Sequence, residues 1–186
     1  MLKRGMSKSE IEKELAGKGD FVQLDYLISF LKEDLPTDVR KFVMLKIAEI
    51  YEAKMIFGEA AKIYNNLAVF SIPFTDKVKY HVKEAESHIK SGNFRDADSA
   101  TTKAMNQANA FEKNDIMISI KQFYWKQAEA YEKSMRRSNA TKLYEKLLEL
   151  VTTEAEKKQI RTKLLELYER LGKFREYNAL KTLSRD

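Results

Sequence analysis

A repeated pattern of helix pairs is the feature that most constrains what this chain can fold into. Apolar residues recur at three- and four-residue steps almost throughout, and strand signals are nearly absent. An anchor residue is repeatedly followed, nine positions later, by a small or apolar residue. The pairs are Leu15 with Leu24, Tyr51 with Ala60, His88 with Ala97, Tyr131 with Ala140, and Tyr168 with Tyr177. Successive anchors are 36, 37, 43 and 37 residues apart, which is typical of arrays built from one supersecondary unit.

Turn signals separate the two members of each pair. Three of the turns contain glycine and read GKGDFVQL, KSGNFRDA and RLGKFREY, whereas the second and fourth turns are less regular. A glycine at a helix end supplies the left-handed residue that terminates the helix. Ser7 and Thr153 each have a glutamate three residues later, which is the spacing of a capping box. Thr37 and Thr75, which come shortly after prolines, are further expected N-caps.

These signals predict ten helices in five antiparallel pairs. The expected helices span residues 7–17, 20–34, 38–54, 57–70, 76–91, 94–111, 115–134, 137–151, 154–171 and 174–184. The corresponding repeats are 5–36, 41–73, 78–111, 115–151 and 154–186, in a single domain of residues 1–186. Because one helix pair cannot bury its apolar face alone, the pairs are expected to stack and share a continuous core.

The repeats resemble the tetratricopeptide repeat (TPR) family over nearly the whole chain. The best matches are AEIYEAKMIFGEAAKIY and AEAYEKSMRRSNATKLY, where alanine and tyrosine stand at the family's small and aromatic packing positions. Small side chains let two helices approach closely, and the aromatic ring fills the space between them. The resemblance implies an all-α fold, a right-handed superhelical solenoid of about five antiparallel helix hairpins. A compact helical bundle is the alternative.

The repeat lengths depart from the family pattern. They exceed the usual length of about 34 residues, and the step of 43 adds nearly two helical turns around Gln107–Asp115. One elongated hairpin is therefore expected there. The third repeat has His88 and Thr101 where aromatic residues are typical. In these respects the chain is similar to the longer-helix relatives of the family, which include the soluble attachment proteins.

The composition argues against several kinds of chemistry. The chain has no cysteine, which excludes disulfides, thiol nucleophiles and cysteine-containing zinc sites. No phosphate-binding loop, nucleophile elbow or HExxH sequence is present. His81 and His88 lie about 10 Å apart along one helix, too far to share a metal directly, and a packing role is expected for His88. We therefore expect no catalysis, no cofactor and no metal. With no apolar leader and no apolar stretch long enough to span a membrane, a cytoplasmic protein is expected.

In the TPR family, the first helix of each pair lines a concave groove that binds a partner. At the equivalent positions this chain places glutamates beside apolar side chains. The glutamates are Glu49, Glu52, Glu86, Glu129, Glu132, Glu166 and Glu169, and the apolar residues are Phe42, Leu45, Val82 and Trp125. Such a groove would suit a basic amphipathic or extended segment of a protein partner. The resemblance thus implies a non-catalytic adaptor or scaffold. The family's groove for acidic chaperone tails uses Lys and Asn at positions that hold other residues here, so that binding mode is not expected.

An ordinary solvated face is the other interpretation of the glutamates. Three of them precede a basic residue by four positions, in the pairs Glu86–Lys90, Glu129–Lys133 and Glu166–Arg170. Each such pair stabilises its helix by about 0.2–0.5 kcal/mol and partly neutralises the acidic row. The sequence leaves both interpretations open.

Trp125 is the only tryptophan and directly follows two other aromatic residues. Three successive aromatic side chains on one helix cannot all face the core. If Tyr124 and Ala128 point inward, Trp125 points toward the groove, where it would be a binding hot spot. Coverage of Trp125 by the neighbouring hairpin is the alternative.

The net charge of +6 supports a second prediction, a nucleic-acid-binding helical repeat that uses the basic C-terminal third. The basic cluster comprises Lys157, Lys158, Arg161 and Lys163. Glutamates alternate with these residues, which is typical of a mixed solvated face. A weak first helix would also allow self-association, because an uncapped array exposes apolar surface.

Overall fold

Ten α-helices make up the part of the chain that the structure, a computed structural model, describes, residues 2–183. They are α1 (Lys8–Leu15), α2 (Asp20–Phe30), α3 (Thr37–Ala53), α4 (Phe57–Phe70), α5 (Phe74–Ser91), α6 (Phe94–Gln107), α7 (Ala110–Lys133), α8 (Arg137–Leu150), α9 (Glu154–Arg170) and α10 (Phe174–Thr182). No strand occurs between residues 2 and 183. The all-α prediction is therefore confirmed. Every helix in this range is too short or too polar to span a membrane.

The largest boundary differences lie at the end of α2, at the end of α6, which stops at Gln107 rather than near residue 111, and at the start of α7. α2 ends at Phe30, and residues 31–33 continue as turns. α7 begins at Ala110 rather than near residue 115. Asn109 Oδ1 accepts hydrogen bonds from the backbone N–H groups of Phe111 and Glu112, both at 3.0 Å, and the Glu112 carboxylate accepts from Asn109 N at 2.8 Å. This reciprocal cap starts the helix early, so the extra length of the 43-residue step lies in the 24-residue α7. The expected end of the last helix, at residue 184, lies outside the described residues.

Two of the expected N-caps are confirmed and two are wrong. Ser7 forms a complete capping box with Glu10, and Thr153 Oγ1 accepts from Glu156 N at 3.3 Å. Thr37 and Thr75, in contrast, lie inside their helices, because the prolines at 36 and 73 are the N-cap residues. A proline has no N–H to satisfy at a helix start, and its restricted φ suits that position.

The turns after α3, α5, α7 and α9 share one geometry. Gly92 and Gly172 have φ of 77° and 68°, and Met55 and Met135 both have φ of 61°. In every case the next residue donates its backbone N–H to the anchor carbonyl five residues earlier. The bonds run from Ile56 to Tyr51 (2.8 Å), Asn93 to His88, Arg136 to Tyr131, and Lys173 to Tyr168 (each 2.9 Å). This is the hydrogen bond of a Schellman motif, so the two irregular turns of the sequence have the same fold as the glycine turns.

The chain forms two compact units, Met1–Lys113 and Asn114–Asp186. In the first unit, one buried apolar cluster joins α1, α2 and α3, and a second joins α3, α4 and α5. α6 packs against α5. In the second unit, the buried side chains of α7, α8 and α9 include Tyr124, Tyr144 and Ile160, and α10 packs against α9.

Candidate protein-binding surface

A hydrogen-bonded group in the second unit connects α7, α8 and α9. The buried Tyr144 of α8 donates its hydroxyl hydrogen to Glu132 Oε1 of α7 at 2.6 Å. Lys163 of α9 binds the same oxygen at 3.3 Å. Glu132 therefore accepts from two neighbouring helices, and it stabilises their packing through charge-assisted hydrogen bonds.

Trp125 lies on the same face of α7 and is held in place by two contacts. Its indole Nε1–H donates to Glu129 Oε1 at 2.9 Å, one helical turn away. Its ring meets the Tyr144 ring edge-on, with 5.4 Å between centroids and an interplanar angle of 76°. The side chain is half-buried, so part of the indole remains open to solvent. Tyr124 and Ala128 are buried, whereas Trp125 packs against Tyr144 of α8; its place in a binding groove stays a prediction.

A cavity of about 170 Å³ opens beside Trp125 in the second unit. Its apolar lining consists of Trp125, Leu147, Val151 and Ile160. An ion pair between Lys121 of α7 and Glu156 of α9, at 2.8 Å, lies on the polar side of the lining. Apolar walls with a few polar groups are typical of ligand pockets.

The first unit contains two of the same interactions, 80 residues earlier in the sequence. Tyr64 donates its hydroxyl hydrogen to Glu52 at 3.0 Å, as Tyr144 does to Glu132. Lys41 binds Asp76 at 3.4 Å, as Lys121 binds Glu156. Lys90 also binds Glu52, at 2.9 Å. We refer to residues 41–103 and 121–183 as the first and second modules.

The module relationship is visible in the sequence once the offset is known. Between residues 41 and 103, 18 of 63 positions hold the same residue as the position 80 further on. The identical residues include the tyrosine and the glutamate of the tyrosine–glutamate bond. They also include Lys83, the counterpart of Lys163. Alignment of single repeats, with steps near 37 residues, concealed this signal because neighbouring repeats differ at these positions.

Matching carboxylates surround the tyrosine hydroxyl in both modules. Burial raises the pKa of Tyr144, and the hydrogen bond to Glu132 and the charges of Glu129 and Glu166 raise it further. Burial likewise raises the pKa of Tyr64. The charge of Glu52 and its hydrogen bond raise this pKa further, as do the charges of Glu49 and Glu86. Each phenol therefore keeps its proton and acts as a donor to an acidic group.

The predicted acidic row is partly occupied by bonds within the chain. In the first unit, Glu49 pairs with Lys46 at 3.4 Å and Glu86 pairs with Lys83 at 2.8 Å. In the second unit, Glu166 and Glu169 are exposed. Phe42, Leu45 and Val82 are half-buried. The carboxylates thus serve the packing of the helices as well as the surface.

Three of the four side chains in the predicted basic patch bind carboxylates. Lys157 and Arg161 both contact Glu154, at 2.8 Å and 3.5 Å, and Lys163 contacts Glu132. Lys158 is exposed. Pairing of this kind reduces the positive potential that phosphate binding requires.

A buried polar network in the first unit was missed by sequence reasoning. Glu84 of α5 is hydrogen-bonded to His81 Nδ1 at 2.8 Å and accepts from Lys103 Nζ of α6 at 2.9 Å. Lys103 also donates to Asn65 of α4 at 3.0 Å. Burial alone would raise the pKa of Glu84, but the hydrogen bonds from His81 and Lys103 outweigh it and lower the pKa. His88, the expected packing histidine, is half-buried.

Among residues 2–183, no group of three or more His, Asp or Glu side chains is arranged to hold a metal ion. Comparison of the chain with protein-family models, curated proteins and solved structures gives no match. The two modules and the cavity beside Trp125 are the features of residues 2–183 that bear on function.

Proposed function

We propose that this chain is a non-catalytic adaptor that binds a peptide or helix of a partner protein. The observation that carries the proposal is the cavity beside Trp125, which is lined by apolar side chains of three helices and bordered by an ion pair. The half-buried indole is already oriented by its contacts with Glu129 and Tyr144. A rigid aromatic side chain beside a pocket is the usual centre of a protein-binding hot spot, and its preorganisation lowers the entropy that binding costs.

The adaptor proposal includes a TPR-like arrangement of the repeats. Recurrent Schellman turns and the matching tyrosine–glutamate bonds support repeats of one kind. In a right-handed solenoid of antiparallel hairpins, the first helices of successive repeats line one concave face. Trp125, Glu129 and Glu132 of α7 and Glu166 of α9 would then belong to the groove in the second unit, and Phe42, Leu45 and Val82 to that in the first.

Selection from a displayed library of short random peptides, with the whole chain immobilised, tests the proposal. Peptides should be enriched, and Trp125→Ala should weaken their binding at least tenfold, because hot-spot truncation costs about 2 kcal/mol or more. Phe174→Ala provides the matched control, since Phe174 is an exposed aromatic residue of the second unit and its loss should leave binding unchanged. Circular dichroism establishes that both variants are folded. The proposal would be contradicted if no peptide were enriched. It would also be contradicted if Trp125→Ala left the binding of the enriched peptides unchanged.

Nucleic-acid binding is the competing function. Its expected signature is salt-sensitive binding of short oligonucleotides that is lost when Lys157, Lys158 and Arg161 are changed to glutamate. The carboxylate contacts of Lys157 and Arg161 weigh against it. Oligonucleotide binding with that signature, in the absence of peptide binding, would replace the adaptor proposal.

A further inference from the structure

Several positions around the ion pair differ between the two modules, and the position of Tyr80 is one that is buried in both. The first module has Tyr80, whose buried ring packs in a cluster with Met44, Tyr64 and Leu67. The second module has Ile160 at the counterpart position, 80 residues later. Ile160 lines the cavity beside Trp125, so this exchange replaces a long aromatic side chain by a short aliphatic one at the cavity wall.

In the first module, Tyr80 lies one helical turn after Asp76 on α5. Burial raises the pKa of the Tyr80 phenol, and the negative charge of the Asp76 carboxylate raises it further. The hydroxyl end of Tyr80 is therefore within electrostatic reach of Asp76, which binds Lys41.

In the second module, the corresponding space is open. The cavity of about 170 Å³ has Ile160 on one side and Lys121 and Glu156, the counterparts of Lys41 and Asp76, on another. An apolar cavity of about 150 Å³ is large enough to hold a benzene molecule. The second module thus keeps the ion pair and the leucine of this site, as Lys121, Glu156 and Leu147. It has Trp125 in place of Leu45 and Ile160 in place of Tyr80.

We propose that this cavity binds a tyrosine side chain of a protein partner. The ring would lie between Trp125 and Ile160, and the phenolic hydroxyl would reach the Lys121–Glu156 pair, which offers both a donor and an acceptor. Gln122 and Gln159 also line the cavity, and their amide groups can bind the backbone on either side of the inserted residue. This inference rests on the proposed adaptor function and specifies the anchor residue of its ligand.

The side-chain analogue p-cresol tests the cavity directly. The chain has one tryptophan, so the indole Nε1–H resonance of the nitrogen-15-labelled protein reports on Trp125 alone. Titration with p-cresol should shift this resonance saturably, with a Kd of about 1–10 mM for a ligand of this size. Toluene, which lacks the hydroxyl, should bind several-fold more weakly. A resonance that does not move with p-cresol would overturn the inference.

Restoring the residue of the first module should close the cavity. Ile160→Tyr is expected to weaken p-cresol binding at least tenfold, because the introduced ring occupies the same space. Ile118→Tyr adds the same side chain at an exposed position of α7 and should leave binding unchanged. If Ile160→Tyr does not fold, Val151→Phe fills the cavity from the α8 side and should have the same effect. Undiminished p-cresol binding in a folded filling variant would place the ligand elsewhere and reject the proposal.

The displayed peptides separate this inference from the adaptor proposal. Enriched peptides should share a tyrosine and lose at least tenfold in affinity on Ile160→Tyr. Peptides that depend on Trp125 but contain no common tyrosine would overturn the inference and leave the adaptor proposal intact. Saturable p-cresol binding without any enriched peptide would support the phenol site while the adaptor proposal failed.

Discussion

At the scale of single residues, the turns after α3 and α7 hold methionines in a backbone conformation that suits glycine. Met55 and Met135 have φ of 61°, where a side chain with a Cβ costs about 1 kcal/mol or more. Both side chains are largely exposed, at 69% and 66%, so little burial compensates for the strain. The Schellman hydrogen bonds hold the conformation in place.

Relief of this strain is the first expectation. Met135→Gly should raise the free energy of unfolding by about 0.5–1 kcal/mol, since glycine adopts positive φ without steric cost. Urea unfolding monitored by circular dichroism measures the change. The converse substitution, Gly92→Ala, should lower stability by a similar amount, although a Cβ there would meet no neighbouring atom within 4 Å. A destabilised Met135→Gly variant would show that the methionine contributes contacts that outweigh the strain.

At the scale of elements, periodicity predicted every helix, and local chemistry decided their ends. Apolar steps of three and four residues identified the helices because each buries one face. The start of α7 was missed because the alignment of repeats placed its irregular segment there and obscured the Asn109–Glu112 cap. The Met55 and Met135 turns looked irregular because methionine seldom occupies a left-handed position.

Loss of the Asn109 cap should therefore unravel the first turn of α7. Asn109→Ala is expected to lower the free energy of unfolding by about 1 kcal/mol, because two backbone N–H groups lose their acceptor. Hydrogen exchange of the amides at residues 111–113 should accelerate. Asn114→Ala, inside the same helix and exposed, should be neutral or slightly stabilising because alanine favours helix. Equal effects at the two positions would contradict the capping role.

At the scale of the whole molecule, the site was only partly predictable. Three adjacent aromatic residues cannot share one helix face, and of Phe123, Tyr124 and Trp125 only Tyr124 is buried. The role of Trp125 in binding stays a prediction. The cavity beside it was not predictable, because its size depends on side chains from three helices. Nothing in the sequence singled out Glu84, since charge in a helical pattern normally indicates solvent exposure. The 80-residue relationship is present in the sequence, but its period is that of two repeats, so a comparison of single repeats does not show it.

The Glu84 network gives the first unit a distinctive response to acid. Glu84 has a folded-state pKa below its ordinary value of 4.5, so its contribution to stability is present above that value and is lost as the pH falls through the lowered pKa. Glu84→Gln should reduce the free energy of unfolding by about 1–3 kcal/mol at pH 7, and the difference from the unmodified chain should shrink below pH 4.5.

Unfolding by urea at pH 7 and at lower pH measures this difference. His81 and Lys103 are hydrogen-bonded to Glu84, and Asn65 accepts from Lys103; none of the three is altered by the substitution. Glu149→Gln removes an exposed carboxylate of α8 and should change stability by less than about 0.5 kcal/mol. A Glu84→Gln difference that stayed constant with pH would contradict the linkage.

The paired modules also bear on how the chain reaches its native structure. Tandem segments with similar interaction patterns can exchange partners during folding, and such misassembly is a known failure of repeat proteins. Here the tyrosine–glutamate bond and one ion pair recur in both modules. Core positions differ, with Tyr80 and Glu84 in the first module and Ile160 and Leu164 in the second. Because the cores differ, the helices of one module pack better against each other than against the helices of the other module. This difference disfavours exchange of helices between the modules during folding.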